Sequence, residues 1–176
     1  MPKQIVLDAF GQCLVKQSPR LAARLLETPF STKAEHDQAM TLAKANDACL
    51  RGRPVLSMQV GAIRGAVAEY ALVSDEKLLD AARALPAAAP ERPPIADGRA
   101  FVIAYATCIA HADPAHTVAL IETPVASAEE RSAFIGYGDT LKACMRWARN
   151  IRPTSPTFAT TLPRRFTWLP GPGAGA

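Results

Sequence analysis

Apolar residues near the start of the chain fall at Val6, Ala9, Phe10, Cys13 and Leu14, the i, i+3, i+4, i+7, i+8 rhythm of one helical face over about 4–16. The same rhythm returns over about 99–112, at Phe101, Ala104, Tyr105, Cys108 and Ile109. After each helix comes a polar residue and a proline, Ser18-Pro19 and Asp113-Pro114, an N-cap acceptor ahead of a first-turn proline. A short second helix is therefore expected from Pro19 to about Glu27 and from Pro114 to about Glu122. Pro29 and Pro124 enforce its end, because the residue before a proline is pushed out of the helical region. Thr32-x-x-Glu35 and Ser127-x-x-Glu130 then read as capping boxes, with hydroxyl and carboxylate each satisfying an amide at a helix start. Each box opens a longer third helix, about Lys33–Cys49 and about Ala128–Trp147.

The spacing between the two runs is constant at 95 positions. Laid ungapped on 108–146, the stretch 13–51 matches at ten of 39 positions, and all four cysteines fall on the register. LLETP (25–29) and LIETP (120–124) are its most visible words: core leucines followed by a proline-enforced break. The pattern predicts an all-α protein of two internally repeated helical halves. Glu27 and Glu122 sit oddly at helix C-termini, facing the negative end of the dipole, and call for a partner such as an arginine or an amide across the turn.

Beyond Cys49 the halves diverge. GRPVLSMQV suggests a short extended segment, and MQVGAIRGAVAEYAL a fourth helix with Ala62, Ile63, Ala66, Val67 and Tyr70 on one face. A fifth helix, DEKLLDAARAL, stops before Pro86. This divides the chain into a first repeat with extra helices (1–85), a proline- and alanine-rich connector (86–98), a second repeat (99–149), and an irregular arm with a flexible tail (150–176). Phe158, Leu162, Phe166, Trp168 and Leu169 are the apolar residues available to dock that arm.

A 49% apolar and 20% charged composition suits a globular chain. FVIAYATCIA (101–110), the longest apolar stretch, is too short to span a bilayer. The N-terminus reaches Asp8 before a signal-peptide core could form, so the chain is expected to be cytosolic or to begin after a removed leader. The net charge of +4 is uneven: residues 1–72 carry +3, residues 73–145 carry −4, and residues 146–176 carry five arginines and no acid.

Cys13 and Cys49 are 36 residues apart, as are Cys108 and Cys144, each pair joining the first and third helices of one half. Two readings compete. Each pair is a disulfide, worth roughly 3–4 kcal/mol for a loop of that size, or the cysteines are small buried apolar residues. Recurrence of the pair as a pair favours the disulfide, which places the protein in a periplasm or outside the cell; reduced cysteines place it in the cytoplasm.

No cofactor or metal is called for: zinc sites bring cysteines in closer spacing. His111, Asp113 and His116 straddle a helix break and read as surface. No G-x-S-x-G, phosphate-cradling glycine loop, H-E-x-x-H or C-x-x-C occurs. Gly136-Tyr137-Gly138-Asp139 lies within the third-helix register, where it suits close helix packing or a local kink. Arg146, Arg149, Arg152, Arg164 and Arg165, with Phe166 and Trp168, form a candidate surface for phosphate backbones or anionic lipid. The bland alternative packs this arm over the second half, in place of the absent fourth helix.

The combination of Cys13, Pro19, the LLETP turn, Cys49 and IRGAVAEYAL resembles small helical proteins of alphaproteobacteria, particularly sphingomonads, several of which look exported. The resemblance covers most of the first half and, weakly, the second, where the fourth-helix segment is lost. It implies export and carries no activity or functional residues. The expected function is a non-enzymatic helical scaffold or protein-interaction module of the cell envelope. Its competitor is a binder of nucleic acid or anionic membrane through the arginine arm.

Overall fold

The computed structural model describes residues 3–50, 59–88 and 98–148, and all regular structure among them is helical. The elements are α1 (Lys3–Gln17), α2 (Pro19–Glu27), α3 (Lys33–Ala45), a 3-10 turn (Asp47–Leu50), α4 (Val60–Val73), α5 (Glu76–Arg83), α6 (Gly98–Ala112), α7 (Pro114–Glu122), α8 (Ala128–Gly136) and α9 (Gly138–Ala148). None of these helices is long and apolar enough to cross a membrane.

The punctuation expected of the two short helices is in place. Both α2 and α7 carry proline in the first turn and close on an extended threonine, Thr28 at ψ 144° and Thr123 at ψ 148°. Each threonine hydroxyl donates back to a core carbonyl, Thr28 Oγ1 to Leu25 O and Thr123 Oγ1 to Leu120 O, both at 2.7 Å. The turns then pass through left-handed Ser31 (φ 60°) and Ala126 (φ 62°), a costly region for residues with a Cβ. Thr32 and Ser127 follow as N-caps, accepting from the amides of Glu35 and Glu130.

Four local expectations are corrected. Ser18 does not cap α2 with its side chain; its hydroxyl donates instead to Asn46 Oδ1 at 3.0 Å, tying the start of α2 to the end of α3. The box carboxylates reach one residue further than expected, Glu35 accepting from the amide of Ser31 and Glu130 from that of Ala126. The first third helix stops at Ala45, where Asn46 turns the chain into the 3-10 segment. The second is divided, α8 ending at Gly136 and α9 starting at Gly138, because the buried Tyr137 turns inward between them.

Three groups of buried side chains hold the helices together. Phe10 and Leu14 of α1, Leu25 of α2, Leu42 of α3 and Val67 of α4 form the first. Its tightest crossing is α1 on α4. A Cβ added to Gly11 would lie 2.6 Å from Ala66 Cβ and 2.7 Å from the Ala66 carbonyl carbon, so only glycine permits the approach. The inward face of α1 is correspondingly rotated from expectation: Gly11 is buried and Ala9 exposed. Tyr105, Ile109, Leu120 and Tyr137 build the second group with Cys108 and Cys144. Leu72, Leu79 and Ala82 meet Val118 and Ile121 in the third, which joins α4 and α5 to α7.

Beside that joint, Arg83 forks onto both oxygens of Glu122 at 3.0 Å and also reaches Asp80. The partner expected for the C-terminal glutamate of α7 is therefore Arg83. Its counterpart Glu27 is exposed.

Candidate functional site

The structure brings the cysteines together as two pairs. Cys13 lies at disulfide distance from Cys49, and Cys108 from Cys144, with Cα–Cα separations of 5.7 Å in both. The first pair ties α1 to the 3-10 turn, and the second ties α6 to α9. Arg146 stands exposed on α9. Arg149, Arg152, Arg164 and Arg165 lie outside the described residues.

The most concentrated polar chemistry belongs to a residue that the periodicity did not single out. Arg64 of α4 is 4% exposed. Its Nη1 donates to Leu25 O at 2.8 Å, Thr28 O at 2.9 Å and Thr28 Oγ1 at 3.0 Å, while Nη2 donates to Leu26 O at 2.7 Å. These carbonyls belong to the last turn of α2 and its cap, where a helix leaves acceptors unsatisfied and presents its negative pole. Glu35 Oε1 stands 3.8 Å from Nη1, and the Phe30 ring lies over the guanidinium, 4.1 Å from Cζ. Burial lowers the Arg64 pKa and the Glu35 charge opposes that, but a guanidinium keeps its proton in such a setting. The first LETP turn is thus closed by a cation delivered from a helix 36 to 39 residues downstream.

Tyr137 ties the junction of α8 and α9 to the N-terminal end of α7. Its hydroxyl donates to Asp113 O at 2.8 Å and contacts Thr117 Oγ1, while its ring meets His116 edge-on with centroids 4.4 Å apart. His116 is half-buried rather than a surface residue; one ring nitrogen faces Ala133 O at 3.3 Å and the other faces the Asp113 carboxylate at 3.7 Å. Gly136 leaves room for that ring, since a Cβ there would approach it to 3.3 Å. Burial pushes the Tyr137 hydroxyl up to about 12. Among the described residues, no three His, Cys, Asp or Glu side chains are grouped to hold a metal ion.

Two surface features remain. A shallow hollow between α6 and α9 is lined by Tyr105, Leu141 and Met145, with Lys142 and Arg146 at its rim. On α8, Phe134 and Ile135 stand 37% and 80% exposed. The buried polar groups around Arg64 and Tyr137 spend their hydrogen bonds on helix ends. No family model, curated protein or solved structure matches the chain.

Proposed function

We propose that the chain is a duplicated helical scaffold of an oxidising compartment, stapled once in each copy, that binds another protein. The duplication is supported by element starts that stand 95 residues apart, α1 against α6, α2 against α7, and α3 against α8. Left-handed residues at 31 and 126, and cysteine pairs of one separation, support it further. Over residues 60–83, α4 and α5 close the first copy and join it to α7. Oxidised staples suit a periplasm or the cell exterior, in keeping with the resemblance to exported helical proteins.

The observation that carries the interaction reading is Ile135, 80% exposed beside Phe134 on a helix whose neighbours are well packed. An apolar pair left in water at a helix end is worth more against a partner than in solvent. A photo-reactive residue at position 135, introduced in cells that export the protein, should give one discrete protein adduct. Phe134→Asp should remove that adduct, and raised salt should leave it in place. Failure to form it, together with oligonucleotide or anionic-vesicle binding that collapses as salt rises, would favour the second reading.

That second reading has its own support. Lys142 and Arg146 lie on the exposed side of α9, directly before an arm that adds four arginines and no acid. Each phosphate neutralised there would steepen the salt dependence by about 0.9 in the logarithmic slope.

A further inference from the structure

The two cysteine pairs differ in what surrounds their sulfurs. Cys108 and Cys144 are 6% and 1% exposed, whereas Cys13 and Cys49 are both only partly buried. We infer that Cys13–Cys49 is a site of thiol–disulfide exchange, opened and closed by a dithiol from the surroundings while the helices stay folded, and that Cys108–Cys144 is a fixed staple. The inference rests on the oxidised pairs proposed above and gives one of them a second role.

The second pair lies inside a helix contact. Cys144 is in the body of α9, which packs on α6. Tyr105, Ile109 and Tyr137 share its buried group, and Leu141 and Met145 pack against that group. A thiolate has to reach a sulfur before it can displace the other one, so exchange here requires α9 to part from α6. The first pair lies at a helix end. Asn46, 7% exposed, fixes the end of α3: its side-chain amide donates to Leu42 O at 2.8 Å and accepts from Ser18 Oγ at 3.0 Å. Beyond it the 3-10 turn carries the exposed Asp47 and Ala48, and the Cys49 amide donates back to Asn46 O at 2.9 Å. The first core is centred on Phe10, Leu14, Leu42 and Val67, with Cys49 and Leu50 only partly buried against it. Neither the approach of Gly11 to Ala66 nor the Arg64 bonds to α2 pass through the pair. Breaking the bond therefore loosens residues 47–50 and leaves the helices packed.

The exchange runs in two balanced steps. A thiolate of the dithiol bonds to Cys49 Sγ on the terminal turn. The Cys13–Cys49 bond breaks, and Cys13 leaves as a thiolate and takes up a proton. Lys16, exposed one helical turn further along α1, favours the negative charge at Cys13, while Asp47, two residues before Cys49, disfavours it there. The second sulfur of the dithiol, once ionised, attacks the mixed disulfide. Cys49 then leaves and is protonated, and the dithiol ends as a disulfide of its own. Two electrons and two protons pass from the dithiol to the pair, and the reverse sequence closes it again.

Dithiothreitol, a small dithiol, serves as the probe on the full-length, oxidised protein in native buffer. Samples are quenched at intervals with N-ethylmaleimide, fully reduced, labelled with the isotopically heavy reagent and mapped, which gives the opening rate of each pair. Cys13 and Cys49 should open together, about a hundredfold faster than Cys108 and Cys144. In denaturant the two pairs should open at similar rates, since the fold supplies the difference and both close loops of the same separation. With only the first pair reduced, hydrogen exchange should rise in peptides covering 47–50 and stay unchanged in α6 and α9. The variant Cys13→Ser/Cys49→Ser should keep its helical circular dichroism and its Cys108–Cys144 bond. A rate gap below about threefold in native buffer, the second pair opening first, or loss of helix once the first pair opens would overturn the inference. Four labels taken up before any dithiothreitol is added would remove the staple reading itself, an outcome distinct from a wrong order of opening.

Discussion

Replacing Arg64 by methionine keeps most of the side chain's packing stem and removes its charge and donors. Four hydrogen bonds disappear, three of them onto carbonyls at the end of α2. Glu35, 2% exposed, loses the only guanidinium beside it among the described residues, at 3.8 Å, and keeps the Ser31 amide. Breaking a buried pair from one side costs about 3–5 kcal/mol. Two features lower the figure here. The pair makes no direct hydrogen bond, and Thr28 is half-buried, so water can replace part of what its carbonyl and hydroxyl lose. A loss of about 3 kcal/mol follows, a large share of the roughly 5–15 kcal/mol that holds a domain folded. At about 2–4 °C per kcal/mol for a chain of this length, Tm should fall by about 10 °C. Urea unfolding of oxidised protein, followed by far-UV circular dichroism, reads this as a lower midpoint at an unchanged slope. Adding Glu35→Gln to Arg64→Met should recover about 1 kcal/mol, because it removes the stranded charge. A loss below about 1 kcal/mol, or a double variant with the full sum of the single losses, would refute the reasoning.

Other consequences follow from single contacts. Arg64→Lys should recover only part of the wild-type stability, since an ammonium cannot fork between Leu26 O and Thr28 O as the guanidinium does; the same urea titration measures it. Gly11→Ala forces a methyl onto the Ala66 backbone and should cost about 1–3 kcal/mol, seen as an equal loss in urea midpoint whether or not the cysteine pairs are reduced. Tyr137→Phe removes the hydrogen bond to Asp113 O and should lower stability by about 1–2 kcal/mol in the same assay. The Tyr137 hydroxyl also sets a pH limit. Its folded pKa is raised above the ordinary 10.0, to about 12, so the folded state holds the proton more tightly. Its contribution is intact below pH 10 and is lost as pH rises from there towards 12. Stability measured between those values should fall in the parent and fall less in Tyr137→Phe.

Local sequence determined much of the helical framework. Pro29 and Pro124 end their short helices through local sterics on the residue before them, and Thr32 and Ser127 cap through atoms three residues away. The cysteine register likewise names two pairs that the fold brings together. Arg64 was hidden because a lone cation at a polar position of an amphipathic pattern normally faces water. The acceptors that bury it sit at 25–28, on another helix, where periodicity carries no information. One signal was available: IRGAV places an arginine inside an apolar run. The division between α8 and α9 was half visible. Gly136 and Gly138 marked a kink, but Tyr137 turns inward to reach Asp113 O, 24 residues earlier, and only the packed structure shows that target. Ala9 and Gly11 exchanged places for a related reason. Hydrophobicity chose alanine for the core, whereas the close passage of α4 chose the residue without a side chain.

The central claim is a scaffold stapled once in each copy, and its most direct test is the state of the thiols in protein taken from its native compartment. Denatured without reductant and alkylated, the chain should take up no label and then accept four after reduction, with peptide mapping returning Cys13–Cys49 and Cys108–Cys144. Four labels before reduction, or a mapped link between the two copies, would contradict it.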